Sequence, residues 1–232
     1  MEECKNKTED RFNKALYLGN IYTIKFMIET KLISPVFKDN IAIMIASELG
    51  HLEIIEYLLT QSNVDPSVDQ NISIALASER GFIQIVELLM KHPKVDPSDN
   101  SNLSLQLACC NNQFAVVKIL LKDDRIDPCF EDFDGLKTAL RNIHIGIVRL
   151  LCYYNVPHSR AHKKMKKKIA YQLITDEIDK LDEYLNYGPI FKIPINRRNN
   201  LTRFKQELMD IFKKTEILCS VSERSLNTYY NR

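Results

Sequence analysis

The sequence lacks several features on which common function classes depend. It contains no tryptophan, only six glycines, and 32 Lys and Arg residues against 30 Asp and Glu, for a formal net charge of +2. A net charge so close to zero argues against a strong whole-molecule attraction to nucleic acid or to a membrane surface. Its purest apolar run, Ile41–Ala46, is far shorter than a membrane-spanning helix, so we expect no membrane partner.

Motifs for catalysis and metal binding are also missing. The sequence contains no phosphate-binding loop, dinucleotide-binding glycine pattern, nucleophile elbow or H-E-x-x-H pair. Its six cysteines show no C-x-x-C spacing, which argues against a zinc site. The charged N-terminus predicts no secretory signal. We therefore expect an intracellular protein, cytoplasmic or nuclear, with no enzymatic activity, catalytic residue, metal or cofactor.

What the sequence does contain is a repeat. Two similar phrases, ASELGHLEIIEYLL at 46–59 and ASERGFIQIVELLM at 77–90, begin 31 residues apart. The same spacing links six alanines: Ala15, Ala46, Ala77, Ala108, Ala139 and Ala170. It also links four prolines (Pro35, Pro66, Pro97 and Pro128) and three glycines (Gly19, Gly50 and Gly81). A fixed period of this length indicates stacked units, each too small to bury its own apolar face.

Each unit predicts a helix, a tight turn, a second helix and a loop. We expect the recurring asparagines to cap the first helix (Asn40, Asn71 and Asn102). The glycine after that helix suits a turn with positive φ. Asn112 is expected to replace it in the fourth repeat, and Asn142, rather than Ile143, in the fifth.

The second helix carries an apolar stripe that is predicted to face the core: Leu52, Ile55, Leu58 and Leu59, then Ile83, Val86, Leu89 and Met90, then Phe114, Val117, Leu120 and Leu121, then Ile145, Val148, Leu151 and Cys152. His51 and His144 hold the same repeat position three periods apart, so they are interpreted as turn residues rather than a catalytic pair. Cys109 and Cys110 share positions with Ser47 and Glu48, which predicts partial exposure.

These phrases resemble ankyrin repeats, with Gly50, His51, Leu52, Ile55, Leu58 and Leu59 at matching places. The V-D-P-S endings and the 31-residue period look most like the arrays of giant DNA viruses and social amoebae. For a viral protein, that likeness implies the host cell cytoplasm. The resemblance implies an all-α, ankyrin-like α-solenoid of about six helix-turn-helix repeats with a C-terminal capping helix. It also implies a non-enzymatic scaffold or adaptor that binds another protein, as a monomer.

The period predicts the domain organisation. We expect an N-terminal tail at 1–8, a repeat array at 9–188 and a C-terminal helical segment with a loose tail at 189–232. The repeats fall near 9–39, 40–70, 71–101, 102–132, 133–158 and 159–188, the last being degenerate, with its second helix expected at 176–185. Because the inter-repeat loop is shorter than in a typical 33-residue ankyrin repeat, a full β-hairpin finger is not expected.

Positions that vary between repeats are the candidate partner-binding residues implied by the resemblance. One set precedes the first helices (Asp39, Gln70, Ser101 and Asp132), and the other lies within them (Met44, Ala75, Gln106 and Lys137). For any single position, an ordinary surface residue is an equally good interpretation.

Two segments break the period. The first is a basic cluster: Arg160, Lys163, Lys164, Lys166, Lys167 and Lys168. It is the exposed face of a helix, a nuclear-import signal or a patch that binds an anionic partner. The patch would support an alternative function as a nuclear or anionic-ligand-binding protein, with nucleic acid or another polyanion as partner. The second is an amphipathic helix after 200 whose face includes Phe204, Leu208 and Phe212. That face either caps the array or recruits a partner.

Overall fold

The computed structural model describes residues 2–128, 130–154, 172–181, 199–211 and 213, and the side chains of 6–128, 134–152, 172–181, 199–211 and 213. The chain forms two compact units, Met1–Glu131 and Asp132–Arg232. Ten helices follow in order: α1 (Glu2–Tyr17), α2 (Ile21–Glu29), α3 (Phe37–Leu49), α4 (Leu52–Leu59), α5 (Val68–Arg80), α6 (Ile83–Met90), α7 (Asp99–Cys110), α8 (Phe114–Leu120), α9 (Phe130–Arg141) and α10 (Ile145–Tyr154). Residues 172–181 and 199–211 are also helical and are called α11 and α12.

The predicted all-α class is confirmed, since the described residues contain no strand, and the helices stack in pairs as expected of an ankyrin-like solenoid. Within the first unit the helices form two layers. Helices α1, α3, α5 and α7 pack side by side in one layer, and α2, α4, α6 and α8 pack in the other. The first helix of each repeat also packs on the second helix, which follows it across the tight turn, so every repeat contributes one helix to each layer.

The repeat positions of the first helices are buried in both units, and in the first unit they form the core between these layers. The recurring alanines from Ala15 to Ala139 are at most 5% exposed, and Ala170 lies outside the described residues. The apolar residues three positions earlier are at most 2% exposed: Phe12, Ile43, Ile74, Leu105 and Leu136. The small side chain of alanine allows the paired helices to approach closely, which explains why alanine recurs at this position.

The second helices bury the predicted stripe only in part. Its two middle positions are 0% exposed in all four repeats: Ile55 and Leu58, Val86 and Leu89, Val117 and Leu120, and Val148 and Leu151. Ile83 and Phe114, expected in the core, are 38% and 45% exposed. Each lies at the first residue of its helix, at the turn edge of the array. The residues two positions later, which the predicted stripe missed, are at most 2% exposed: Ile54, Ile85, Val116 and Ile147. The buried pattern in α4 is therefore Ile54, Ile55 and Leu58, which shifts the core face toward the middle of each helix.

The tight turns use left-handed backbone at the predicted position. Gly50 has φ 82°, and Asn112 replaces glycine there with φ 56°, as expected. A Cβ atom at Gly50 would lie 2.6 Å from the Phe82 ring, so glycine is required for space as well as for φ. The prediction for the fifth repeat is wrong: Ile143 itself takes the left-handed conformation, with φ 61°, and Asn142 does not.

The ends of the array also differ from expectation. Residues 2–8, predicted as a tail, belong to α1. In the degenerate repeat, 172–181 form one continuous helix, whereas the second helix of that repeat was expected to begin only at 176. Nothing in the described ranges shows the remaining part of that repeat. Among the described residues, no helix is long and apolar enough to cross a membrane.

Candidate functional site

Three consecutive left-handed residues precede the right-handed helical part of α3, α5 and α7. They are Lys38–Asn40, Asp69–Asn71 and Asn100–Asn102, with φ between 45° and 64°. The third residue closes each turn by donating its backbone N–H to a carbonyl four residues earlier, as Asn71 does to Ser67 at 3.1 Å. Left-handed runs are costly for most L-residues, and Asn and Asp tolerate them best. The middle position of each turn is the predicted partner-binding position (Asp39, Gln70 and Ser101).

The recurring asparagines hold neighbouring loops together. Asn40 and Asn71 are buried, and their Oδ1 atoms accept the backbone N–H groups of Asp65 (3.1 Å) and Asp96 (3.0 Å). Asn71 Nδ2 also donates to Asp99 Oδ2 at 2.8 Å. The predicted helix-capping role is therefore wrong. Left-handed φ at the asparagine directs its side chain to the loop 25 residues later.

The aspartate of the V-D-P-S phrase organises the loop that the asparagine holds. Asp65 Oδ1 accepts from the backbone N–H (3.0 Å) and the hydroxyl (2.6 Å) of Ser67. Asp65 Oδ2 accepts from Lys94 Nζ at 2.9 Å. These hydrogen bonds from Ser67 and Lys94 lower the pKa of Asp65 to about 2. This arrangement was not predicted from the sequence, although the recurrence of Asp and Ser around the proline was a signal that could have indicated it.

The candidate partner-binding residues lie beside these turns, with different exposures. Asp39 and Gln70 are exposed, while Met44, Ser101 and Gln106 are half-buried. Gln106 Nε2 donates to the backbone carbonyl of Ser101 at 2.8 Å, so the two predicted sets of positions adjoin within one repeat. We call the left-handed turns 38–40, 69–71 and 100–102, together with Met44 and Gln106, the turn strip.

Three predicted positions fall outside this strip. Ala75 is only 2% exposed and offers a partner little surface. Lys137, in the second unit, is half-buried with its Nζ 3.8 Å from Asp134. The side chain of Asp132 lies outside the described residues.

The histidine position in the tight turns has a packing role. A Cβ atom at Gly19 would lie 2.7 Å from the His51 ring, and His51 Nε2 is 3.4 Å from the Tyr17 carbonyl. Gln113 holds the equivalent position and donates to the Glu79 carbonyl at 3.0 Å. A side chain at this position therefore covers the preceding turn and engages a carbonyl at the end of the preceding helix.

The thiols of Cys109 and Cys152 are not activated. Cys109 was predicted to be partly exposed but is fully buried, because its repeat position is the inner one also held by Ser47 and Ser78. Burial raises the pKa of Cys109 to about 12, and burial does the same for Cys152. Both therefore stay protonated near neutral pH. The described residues contain no group of three side chains that could hold a metal ion.

The two segments that break the period are placed unequally. The basic cluster from Arg160 to Lys168 lies outside the described residues. Within the second unit, Phe204 and Leu208 of α12 are 4% and 0% exposed, and Phe212 is not described. Arg149 of α10 lies 3.7 Å from Glu207 of α12.

Comparison with known families agrees with this architecture. The family model for ankyrin repeats (three copies) matches residues 43–132 and 74–161, which together cover about half of the chain. The chain belongs to the ankyrin-repeat family. No curated protein matches, and no solved structure matches. Ankyrin repeats are in general protein–protein interaction modules, and the family is typically non-enzymatic.

Proposed function

We propose that this ankyrin-repeat protein is a scaffold or adaptor that binds another protein through its turn strip. The observation that carries the proposal is the contrast between a fixed backbone and variable side chains. Asn40 and Asn71 hold each turn to the next loop, whereas the exposed residue in the middle of the turn changes from Asp39 to Gln70.

Such a surface is suited to recognition because little order has to be gained on binding. Loops that are already held by hydrogen bonds lose less conformational entropy when a partner docks, which leaves more of the contact energy as affinity. The strip combines the carboxylate of Asp39, the amides of Gln70 and Gln106 and the thioether of Met44. Specificity then comes from matching this sequence of side chains along several repeats.

For the C-terminal helix, the proposed role is a cap rather than a recruiting motif. A recruiting face must be accessible, and the apolar residues that α12 would offer, Phe204 and Leu208, are buried. We expect a chain truncated after Gly188 to lose stability in a thermal melt. A truncated chain of unchanged stability that no longer captures a partner would show instead that this segment recruits one.

The binding proposal is tested by affinity purification of the tagged full chain followed by quantitative mass spectrometry. The strip variant is Asp39→Lys/Gln70→Lys. The control is Glu53→Lys/Glu56→Gln, which makes the same change in net charge at two exposed residues of α4. The proposal predicts that the strip variant loses at least one protein that the wild type and the control retain. Equal recovery of every protein by both variants would contradict it.

A further inference from the structure

The first repeat exposes an apolar stripe on the outer side of α2. Tyr22 is 84% exposed and Phe26 is 53% exposed, one helical turn apart on the same face. Leu32, just beyond the end of the helix, is 55% exposed. Two exposed charged residues, Lys25 and Glu29, lie along the same stripe. We call these five residues the α2 face.

Stacking of the repeats does not require this apolar character. The position of Tyr22 is held in the next two repeats by Glu53 and Gln84, which are exposed polar residues. The position of Leu32 is likewise held by Asn63 and Lys94. The position of Phe26, by contrast, is held by the half-buried apolar residues Tyr57 and Leu88. At the positions of Tyr22 and Leu32, the internal repeats therefore present polar side chains to water where the first repeat presents an aromatic and an aliphatic one.

The apolar side chains of the α2 face expose a small area. Since an aromatic side chain buries about 150–250 Å², Tyr22, Phe26 and Leu32 together expose on the order of 400 Å². Two such surfaces brought together would bury about 800 Å², which is the size of a weak, transient contact.

The α2 face is complementary to itself when two copies run antiparallel. An axis at residue 27 relates Lys25 to Glu29 of a second copy, because 25 and 29 are equally distant from it. The same axis places Phe26 of both copies next to the centre. One arrangement thus pairs opposite charges and apolar side chains at once, as a twofold symmetric interface requires.

We propose that the α2 face binds a second copy of this chain and forms a symmetric dimer. The proposed dimer contact does not include the later turns of the turn strip, 69–71 and 100–102. The modest area indicates a dissociation constant on the order of micromolar rather than an obligate dimer. A dimer replaces the monomer expected from the sequence and gives the adaptor two sets of partner-binding positions.

Sedimentation velocity of the full chain, in a concentration series across the micromolar range, tests the proposal. Wild type is expected to show a concentration-dependent shift from monomer to dimer. Phe26→Glu should weaken dimerisation at least about tenfold, since it places two carboxylates near the axis. Phe114→Glu removes a similarly exposed aromatic residue from another repeat and should leave the dimer unchanged.

A charge exchange tests the pairing itself. Lys25→Glu should weaken the dimer by placing like charges together, and Lys25→Glu/Glu29→Lys should restore it. Because Lys25 Nζ also lies 5.3 Å from the centroid of the Tyr57 ring, thermal melts of each variant establish that the fold is retained. The proposal is overturned by a wild type that stays monomeric, which would leave the face to a different protein. A dimer equally sensitive to Phe114→Glu, or one that the charge exchange fails to restore, would also overturn it.

Discussion

Replacing Asn71 should test whether its side-chain hydrogen bonds to the next loop stabilise the array. Asn71→Ala removes the acceptor for the Asp96 N–H and the donor to Asp99. A neutral hydrogen bond contributes about 1 kcal/mol and one to a charged group about 1.5–3 kcal/mol. Because Asp99 is exposed, water partly replaces its lost donor, so the lower end of that range applies. With the added strain of alanine at φ 59°, the expected loss in free energy of unfolding is about 3 kcal/mol.

Equilibrium urea denaturation measures this loss, with an unchanged m-value as evidence that the array still unfolds cooperatively. Asn71→Gly separates the two causes, because glycine loses both hydrogen bonds but tolerates positive φ. It should cost about 2 kcal/mol. Gln70→Ala is the matched control within the same turn, where an exposed side chain is removed at φ 55°, and it should cost less than about 0.5 kcal/mol. If Asn71→Ala lowers the free energy of unfolding no more than Gln70→Ala does, the hydrogen bonds of Asn71 do not stabilise the array.

Three further changes follow from individual contacts. Ser78→Ala should raise the free energy of unfolding by about 1 kcal/mol in urea, because the Ser78 hydroxyl is buried without a hydrogen-bond partner; a loss would show that it has one. Ile143→Asn should raise the thermal midpoint, relieving about 1 kcal/mol of left-handed strain at a residue 44% exposed; an unchanged midpoint would argue against that strain. Asp65 has a lowered pKa, so its contribution is present above pH 4 and is lost as pH falls toward its folded pKa of about 2. Allowing for a side chain 33% exposed, Asp65→Asn should cost about 1 kcal/mol at pH 7 and flatten the acid limb of a stability–pH curve; an unaltered limb would contradict this.

The repeat phase could be predicted because it records a packing constraint that every repeat shares. Alanine recurs from Ala15 to Ala139 where two helices approach, and a larger residue precedes it by three positions, where the core needs volume. Glycine recurs at Gly19, Gly50 and Gly81 because the turn needs positive φ and the next repeat covers it. Such constraints act within one repeat or between neighbours, so they appear directly as a period.

Features that depend on backbone conformation and tertiary packing could not be predicted in the same way. Asparagine before a helix suits a cap, and only the left-handed turn directs Asn40 and Asn71 to the following loop instead. Ile143 takes positive φ because its neighbours in the repeat impose the turn, although a β-branched residue disfavours it. The helical period allowed two adjacent faces of α6, and packing buried Ile85 rather than Ile83.

The binding role of the candidate site stays a prediction, whereas the location of its residues in the fold could be predicted in part. Variation between repeats selected Asp39, Gln70 and Ser101, which the structure places in equivalent turns. The same criterion selected Ala75, which is buried, because variation alone does not distinguish a surface position from a core position that tolerates change. The exposed apolar stripe on α2 was not predicted, because each apolar residue there is compatible with the helical period.

Hydrogen–deuterium exchange of the full chain, alone and with a co-purified partner, tests the central proposal most directly. Recognition by the turn strip predicts slower exchange in peptides that cover 38–40, 69–71 and 100–102 when the partner is bound. Peptides that cover α4 and α6 should exchange as they do in the free protein. A partner footprint that leaves these turns unprotected, or that falls on α12 alone, would contradict the proposal.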